Sequence, residues 1–136
     1  MEPSSGPSSR SEPTPAKRLV LIIEDDFFTR YTAAESLRAM GYQVIEAQDA
    51  AEAMSVLTCG TRVDFVFSDI NMPGNLNGLE FAGWLAKQYP SVPVLLTSGG
   101  PQPAEVLNLG KNRRFVAKPY DLDEVDRWFK KMLTAA

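Results

Sequence analysis

Short apolar runs alternate with amphipathic stretches along most of this chain. Residues 19–23 form a run of branched aliphatic side chains, which is typical of a strand buried on both faces of a sheet. Ala50, Ala53, Met54 and Leu57 recur instead at the spacing of one helix face. The pattern predicts strands at 19–23, 43–47, 64–68, 93–97 and 113–117, and helices at 27–40, from Asp49 onward, and at 77–89, 102–109 and 121–133.

Capping residues mark several helix boundaries. Gly41 stands where a left-handed residue is expected after the first helix. Three helices open with Asp or Asn followed three residues later by Glu, a variant of the capping box, at Asp49/Glu52, Asn77/Glu80 and Asp121/Glu124. Five strands that alternate with five helices predict an α/β fold, in which a parallel sheet is covered by helices on both faces.

Composition divides the chain into two parts. Residues 1–17 are rich in Ser and Pro and lack apolar periodicity, so we expect a disordered extension. Residues 18–136 have the length of one domain. No apolar run approaches the roughly 20 residues of a membrane helix, and no signal peptide is apparent, so we expect no membrane insertion. Cys59 is the single cysteine, which excludes an internal disulfide and fits a cytoplasmic protein.

Charge and the absence of histidine exclude several classes of function. The net charge of −3 makes non-specific binding to nucleic acid unfavourable, and we expect no direct nucleic-acid contact. Without histidine, the chain can build neither a Ser-His-Asp nor a Cys-His catalytic site, and no His-ligated metal site. Arg113 and Arg114 are expected at a solvated strand edge. The chemistry must come from carboxylates, hydroxyls and lysines.

Polar residues follow four of the predicted strands. In an open parallel sheet, ligands bind beyond the carboxyl ends of the strands. Each residue alone has a plain structural explanation: Asp26 can cap the next helix, Asp69 can begin a turn, and Lys118 can lie in a solvated loop. Their combination indicates a site, which would contain Glu24, Asp25, Asp26, Asp69, Thr97 and Lys118.

The chemistry of such a cluster is restrictive. Carboxylates close together raise each other's pKa or recruit a cation, and Mg²⁺ suits a site with few carboxylates and bound phosphate oxygens. A lysine and a hydroxyl nearby would stabilise the charge on a phosphoryl group in transfer. One carboxylate would then be the nucleophile that forms an aspartyl phosphate.

Four segments of the chain resemble the receiver domain of response regulators in two-component signalling. They are IIEDD at 22–26, SDINMPG at 68–74, LLTSG at 95–99 and FVAKPY at 115–120. The resemblance covers about residues 19–133. It implies a flavodoxin-like, doubly wound (βα)5 fold whose five parallel strands have the order 2-1-3-4-5.

The resemblance also implies a role for each site residue. Asp69 would accept a phosphoryl group from a histidine on a histidine kinase or phosphotransfer protein. Mg²⁺ would be held by Asp25, Asp26 and Asp69, with Asp26 as the more direct ligand of the acidic pair, and by the main-chain carbonyl of Asn71. Thr97 would bind the phosphoryl group through its hydroxyl, and Lys118 would pair with the phosphoryl oxygens. The Lys118–Pro119 peptide bond would be cis. Phe115 would be the aromatic residue that swings inward when the Thr97 hydroxyl moves.

A two-state switch follows from these roles. Movement of Thr97 toward the phosphorylated Asp69 would admit Phe115 and remodel the face made by the fourth helix, the fifth strand and the last helix. The expected protein is a stand-alone receiver that signals by protein contact. It would catalyse only its own phosphorylation and autodephosphorylation. Receivers often dimerise through this face when phosphorylated, which the sequence leaves open.

Other functions and two departures from the family pattern stay open at this point. The chain could be a phosphoryl sink or shuttle, or a pseudo-receiver that binds partners without phosphorylation. A small Mg²⁺-dependent phosphatase of the haloacid dehalogenase type would need an acid where Asn71 stands, and a flavodoxin-like nucleotide binder would need a phosphate loop after the first strand. The stretch 69–78 is one residue longer than usual. Gly99 leaves no side chain to screen the phosphoryl group, so we expect it to be short-lived.

Overall fold

The sheet has the predicted topology. The computed structural model describes residues 17–110 and 112–134. Five parallel strands form one sheet in the order β2-β1-β3-β4-β5. The strands are β1 (Leu19–Ile23), β2 (Gln43–Ala47), β3 (Phe65–Asp69), β4 (Val94–Ser98) and β5 (Arg113–Ala117).

Helices connect consecutive strands. They are α1 (Phe27–Ala39), α2 (Ala50–Thr58) and α3 (Gly78–Gln88), and α4 (Leu122–Thr134) follows the last strand. The helix predicted at 102–109 forms as a 3₁₀ helix, Ala104–Leu109, which we call the 3₁₀ segment. Pro103 precedes it and supplies no side-chain cap, so nothing there favours a regular α-helical start. Among the described residues, no helix is both long enough and apolar enough to cross a membrane.

The expected caps are present, with one difference. Asn77 and Glu80 form a complete capping box, and the Asp49 side chain accepts a hydrogen bond from the Glu52 amide. Asp121 instead accepts from the amide of Asp123, one residue earlier than the predicted pattern requires. Gly41 has φ of +103°, the left-handed conformation expected after α1.

Alternation along the strands separates two apolar layers. In β1, Val20 and Ile22 pack with Phe65 and Phe129, in the cluster that includes residues of α1 and α4. Leu21 and its alternate residues pack in a second cluster, with residues of α2, α3 and the 3₁₀ segment. Because every second residue faces the same layer, the residue after Ile23 returns to the α1–α4 side of the sheet.

Arg113 differs from expectation, and the predicted extension lies almost wholly outside the described residues. Arg113 is buried, with 4% of its surface exposed, and so is not at a solvated edge. Cys59 is free and exposed. The predicted disordered extension, 1–17, lies outside the described residues except for Lys17.

Candidate functional site

Three carboxylates meet at the carboxyl ends of β1 and β3. Ligand oxygens of Glu24, Asp25 and Asp69 lie within 4.8 Å of one another. The β1–β3 register pairs Ile23 with Ser68, and its continuation brings Glu24 beside Asp69. Glu24 and Asp69 are buried whereas Asp25 is exposed, so the cluster opens to solvent on one side.

Asp26 does not belong to this cluster, contrary to the prediction that it is the more direct metal ligand. It is the cap of α1, and its Oδ2 accepts hydrogen bonds from the amide of Thr29 at 2.8 Å and from the Thr29 hydroxyl at 2.6 Å. Those hydrogen bonds lower the pKa of the Asp26 carboxyl. The structure puts Glu24 in its place, because alternation along β1 turns Glu24 toward Asp69 while the chain enters the helix at Asp26. The Asp26–Thr29 spacing of a cap and the parity of β1 were signals of this arrangement in the sequence.

Lys118 supplies the positive charge of the site. Its Nζ lies 2.7 Å from Oδ2 of Asp69 and 3.2 Å from Oε1 of Glu24. The Lys118–Pro119 peptide bond is cis, as expected. Burial acts to lower the pKa of the ammonium, but Asp69 and Glu24 outweigh it and the pKa is raised. Lys118 therefore stays a cation at neutral pH.

One lysine does not balance the carboxylates. Burial, assisted by the charge of Asp69, raises the pKa of Glu24 to about 7, although the Asp26 amide and Lys118 act in the opposite direction. Burial and the neighbouring Asp69 carboxylate both disfavour the charged form of Glu24. A divalent cation at the three carboxylates would favour that charged form, and oxygen ligands are those that Mg²⁺ prefers.

Asn71 makes hydrogen bonds to residues at the ends of both β3 and β4. Its amide donates to Oδ1 of Asp69 at 2.9 Å, and its side-chain Nδ2 lies 3.4 Å from Oγ of Ser98. Asp69 thus has one oxygen bound by a backbone amide and the other by an ammonium. The role of the Asn71 carbonyl as a metal ligand stays a prediction.

Thr97 pairs with Asp69 in the register of β3 and β4. It is 3% exposed, and its hydroxyl oxygen has no hydrogen-bond partner within the part of the chain that the structure describes. Together with Asp69, Glu24 and Tyr120 it lines a cavity of about 10 Å³, roughly the volume that one water needs. A buried hydroxyl without a partner is destabilising by about 1–3 kcal/mol. A group that accepted a hydrogen bond from Thr97 would remove this cost.

Phe115 lies farther from the carboxylates. It is half-buried on β5 and packs against the core cluster that contains Val106 of the 3₁₀ segment. It pairs with Leu96, the residue before Thr97. Phe115 therefore lies in the layer that contains the 3₁₀ segment, and its inward swing stays a prediction.

Comparison with known proteins decides the family. A family model described as the response regulator receiver domain matches residues 20–129. The chain belongs to the response regulator receiver domain family. Receiver domains are components of two-component signalling, and this assignment disfavours the phosphatase and nucleotide-binding alternatives.

Several curated relatives are similar to this receiver domain. The aerobic respiration control protein ArcA of Escherichia coli K12 is 34% identical over 107 residues, which cover 78% of this chain and 44% of that protein. The CAI-1 autoinducer sensor kinase/phosphatase CqsS of Vibrio cholerae is 31% identical over 113 residues, covering 79% of this chain and 16% of that protein. The chain thus spans less than half the length of these relatives.

Solved structures agree with the fold. The chemotaxis response regulator CheY4 of Vibrio cholerae has a TM-score of 0.76 and 25% identity, over 86% of this chain and 99% of that one. The response regulator TrrA of Thermotoga maritima, solved in complex with Mg²⁺-BeF, has a TM-score of 0.74 and 26% identity, over 85% of this chain and 98% of that one.

Proposed function

We propose that Asp69 accepts a phosphoryl group from a phosphohistidine of a histidine kinase or phosphotransfer protein. A carboxylate oxygen of Asp69 would attack the phosphorus, the N–P bond would break, and the imidazole would leave and take up a proton from solvent. The observation that carries the proposal is the position of Asp69, buried between the ammonium of Lys118 and the unpartnered hydroxyl of Thr97.

Three groups of the chain support this chemistry. Lys118 would move its contact from the Asp69 carboxylate to a phosphoryl oxygen, which keeps the developing charge compensated. The Thr97 hydroxyl would donate a hydrogen bond to another phosphoryl oxygen and so gain the partner that it lacks among the described residues. The carboxylates of Glu24, Asp25 and Asp69 would hold Mg²⁺, which would supply positive charge to the site during transfer.

An apolar patch beside the site supports docking of a protein donor. Phe27, Phe28 and Tyr31, at the start of α1, are 64%, 72% and 45% exposed. Phe28 also lines a groove that continues to Lys118 and Pro119. Large apolar side chains exposed together mark an interaction surface, and a donor helix seated there would bring its phosphohistidine to Asp69.

We propose that this protein acts on no external substrate and signals by protein contact after phosphorylation. The sensor kinases CqsS and RcsC among the relatives contain a region similar to this chain, which supports a place in a phosphorelay. A role as a phosphoryl sink would need the same site chemistry and would differ only in having no target for the remodelled face.

Intact mass measurement tests the acceptor. After incubation with acetyl phosphate and Mg²⁺, the wild type should gain one phosphoryl group, whereas Asp69→Asn should gain none. Asp64→Asn is the matched control, because Asp64 is a partly buried carboxylate just before β3, at the opposite end of that strand from Asp69. A chelator should abolish the gain. No gain in the wild type, or an equal gain in Asp69→Asn, would overturn the proposal.

Donor choice tests the docking patch. Phe28→Ser should slow transfer from a phosphorylated histidine phosphotransfer domain and leave the rate with acetyl phosphate unchanged. Leu107→Ser is the control, because Leu107 is 77% exposed but lies in the 3₁₀ segment. Equal slowing with both donors would assign Phe28 to the stability of the site instead of to docking.

A further inference from the structure

Arg30 of α1 holds the backbone of the segment that joins β1 to α1. Its Nη1 donates to the carbonyl oxygen of Glu24 at 2.8 Å, and its Nε donates to Oε1 of Glu46 on β2 at 3.2 Å. The guanidinium also lies over the ring of Phe27, 5.5 Å from the ring centroid. Because three groups contact it and only 13% of its side chain is exposed, the guanidinium is held in place beside the acidic cluster.

The carbonyl that Arg30 binds belongs to the peptide between Glu24 and Asp25, which are two of the three carboxylates of the cluster. A peptide unit is planar, so a hydrogen bond that orients the Glu24 carbonyl also orients the amide and Cα of Asp25. The other hydrogen bonds of Glu24 act elsewhere. Its amide donates to the Ala47 carbonyl at 3.1 Å, and its Oε2 accepts from the Asp26 amide at 3.1 Å. Arg30 therefore fixes the direction in which the chain leaves Glu24 toward Asp25.

The charge of Arg30 is compensated away from the cluster. In the part of the chain that the structure describes, its ion pair is with Glu46, whereas Lys118 pairs with two carboxylates of the cluster. A cation near a metal site opposes the binding of another cation, so Coulomb's law alone predicts that Mg²⁺ binds more tightly without Arg30. A geometric role predicts the opposite sign. The two roles can therefore be separated by measurement.

We propose that Arg30 is a positioning residue for the acidic cluster, and that its hydrogen bond to the Glu24 carbonyl holds Glu24 and Asp25 in place as ligands of Mg²⁺. This role rests on the proposed function, in which these carboxylates hold the ion. Removing a group that orients metal ligands typically weakens metal binding by about 10–100-fold. Arg30 itself contacts neither the metal nor the phosphoryl group.

Arg38 offers a matched control on the same helix. Its Nη1 also pairs with Glu46, at 3.5 Å, and its Nη2 donates to a main-chain carbonyl at 3.0 Å, but that carbonyl belongs to Val44 within β2. Arg30→Met and Arg38→Met thus remove the same charge and each removes a partner of Glu46. At the cluster, the two variants differ in whether the Glu24 carbonyl loses its donor.

The test compares the wild type, Arg30→Met, Arg30→Lys and Arg38→Met by calorimetric titration with Mg²⁺ and by carbonyl-carbon NMR. Arg30→Met should weaken Mg²⁺ binding at least about tenfold, and Arg38→Met should leave it nearly unchanged. Arg30→Lys keeps the charge but lacks the planar fork that reaches two acceptors, so it should also bind Mg²⁺ more weakly than the wild type. Without Mg²⁺, Arg30→Met should shift the carbonyl-carbon resonance of Glu24, and Arg38→Met that of Val44, because each carbonyl loses a charged donor.

The outcomes separate this role from the proposed function. Mg²⁺ binding in Arg30→Met as tight as in the wild type, or tighter, would overturn the positioning role and leave the proposed function intact. An equal loss of affinity in Arg38→Met would also overturn it, since loss of any charge from α1 would then suffice. If Arg30→Met does not fold, Arg30→Lys decides, and wild-type affinity there would overturn the role. A wild type that binds no Mg²⁺, or whose affinity is unaffected by Asp25→Asn, would contradict the proposed metal site and the positioning role with it.

Discussion

The Lys118 ammonium lies 2.7 Å from the Asp69 carboxylate and so joins the end of β5 to the end of β3 across β4. Oε1 of Glu24, which follows the end of β1, lies 3.2 Å from the same ammonium. One cation thus connects three of the five strands at the site. A group that draws Lys118 or Asp69 to a new partner would break a contact that joins these strands.

Loss of this cation should destabilise the protein. Lys118→Met leaves two buried carboxylates without their partner, which should lower the free energy of unfolding by about 1–3 kcal/mol in the absence of Mg²⁺. The control is Lys130→Met, because Lys130 pairs with Asp126 at 3.0 Å but is 73% exposed, and its loss should cost below about 1 kcal/mol. Urea titration of both variants makes the comparison. Equal losses would contradict the account.

The acidic cluster predicts which carboxylates bind Mg²⁺. Asp25→Asn should weaken Mg²⁺ binding at least about tenfold, equivalent to about 1.4 kcal/mol, as judged by the Mg²⁺ dependence of the melting temperature. Asp26→Asn should keep the Mg²⁺ effect, since asparagine also caps a helix and Asp26 is bound to Thr29. If Asp26→Asn lost the effect and Asp25→Asn retained it, the cluster would be assigned incorrectly.

Glu24 should make stability depend on pH when Mg²⁺ is absent. Its pKa rises from an ordinary 4.5 to about 7 in the folded protein. The folded state then binds more protons than the unfolded state between these values, so the free energy of unfolding falls as pH rises from 4.5 to 7. The fall attributable to Glu24 should reach up to about 3 kcal/mol. Urea titrations across this range should show that Glu24→Gln lacks this component, and parallel pH profiles for the two proteins would refute it.

Gly78 should be required for the backbone at Asp69. A Cβ at position 78 would lie 2.3 Å from the Asp69 carbonyl oxygen and 2.6 Å from the Ile70 Cα. Gly78→Ala must therefore displace the end of β3, with a loss of about 1–3 kcal/mol in stability and slower phosphorylation by acetyl phosphate. Gly83→Ala in the same helix meets nothing within 4 Å and should instead stabilise by about 0.5–1 kcal/mol. Similar effects of the two substitutions on phosphorylation would argue against a backbone contact at the acceptor.

Gly99 should shorten the life of the phosphoryl group. It is exposed directly after Ser98, and an added Cβ would meet nothing within 4 Å, so a larger side chain fits. Gly99→Glu should lengthen the half-life of the phosphorylated protein several-fold by restricting water, while Gly100→Glu should change it less. Decay is followed by intact mass after removal of the donor. An unchanged half-life in Gly99→Glu would show that water access is not limiting.

The strand pattern and the order of polar residues were sufficient to predict most of the fold and of the site. Residues 19–23 and the four other strands could be assigned because short apolar runs that alternate with amphipathic stretches are typical of strands in a parallel sheet. Asp69, Thr97 and Lys118 could be placed together because each lies at or just after the carboxyl end of a strand of the same sheet.

Two features depended on geometry that the sequence expresses only weakly. Three acidic residues in succession at Glu24, Asp25 and Asp26 look equivalent, and what separates Asp26 from the cluster is that the chain enters α1 there and Asp26 caps it through Thr29. Arg113 could not be recognised as buried, because arginine at a strand start is ordinarily solvated.

Chemical trapping of the modified residue tests the central claim most directly. Borohydride reduces an acyl phosphate to the corresponding alcohol, so the phosphorylated aspartate becomes homoserine and can be located by peptide mass mapping. Homoserine is expected at position 69 alone, formed only after incubation with the donor and Mg²⁺. Reduction at Glu24 or Asp25, or no reduction in a protein that has gained a phosphoryl group, would contradict Asp69 as the acceptor.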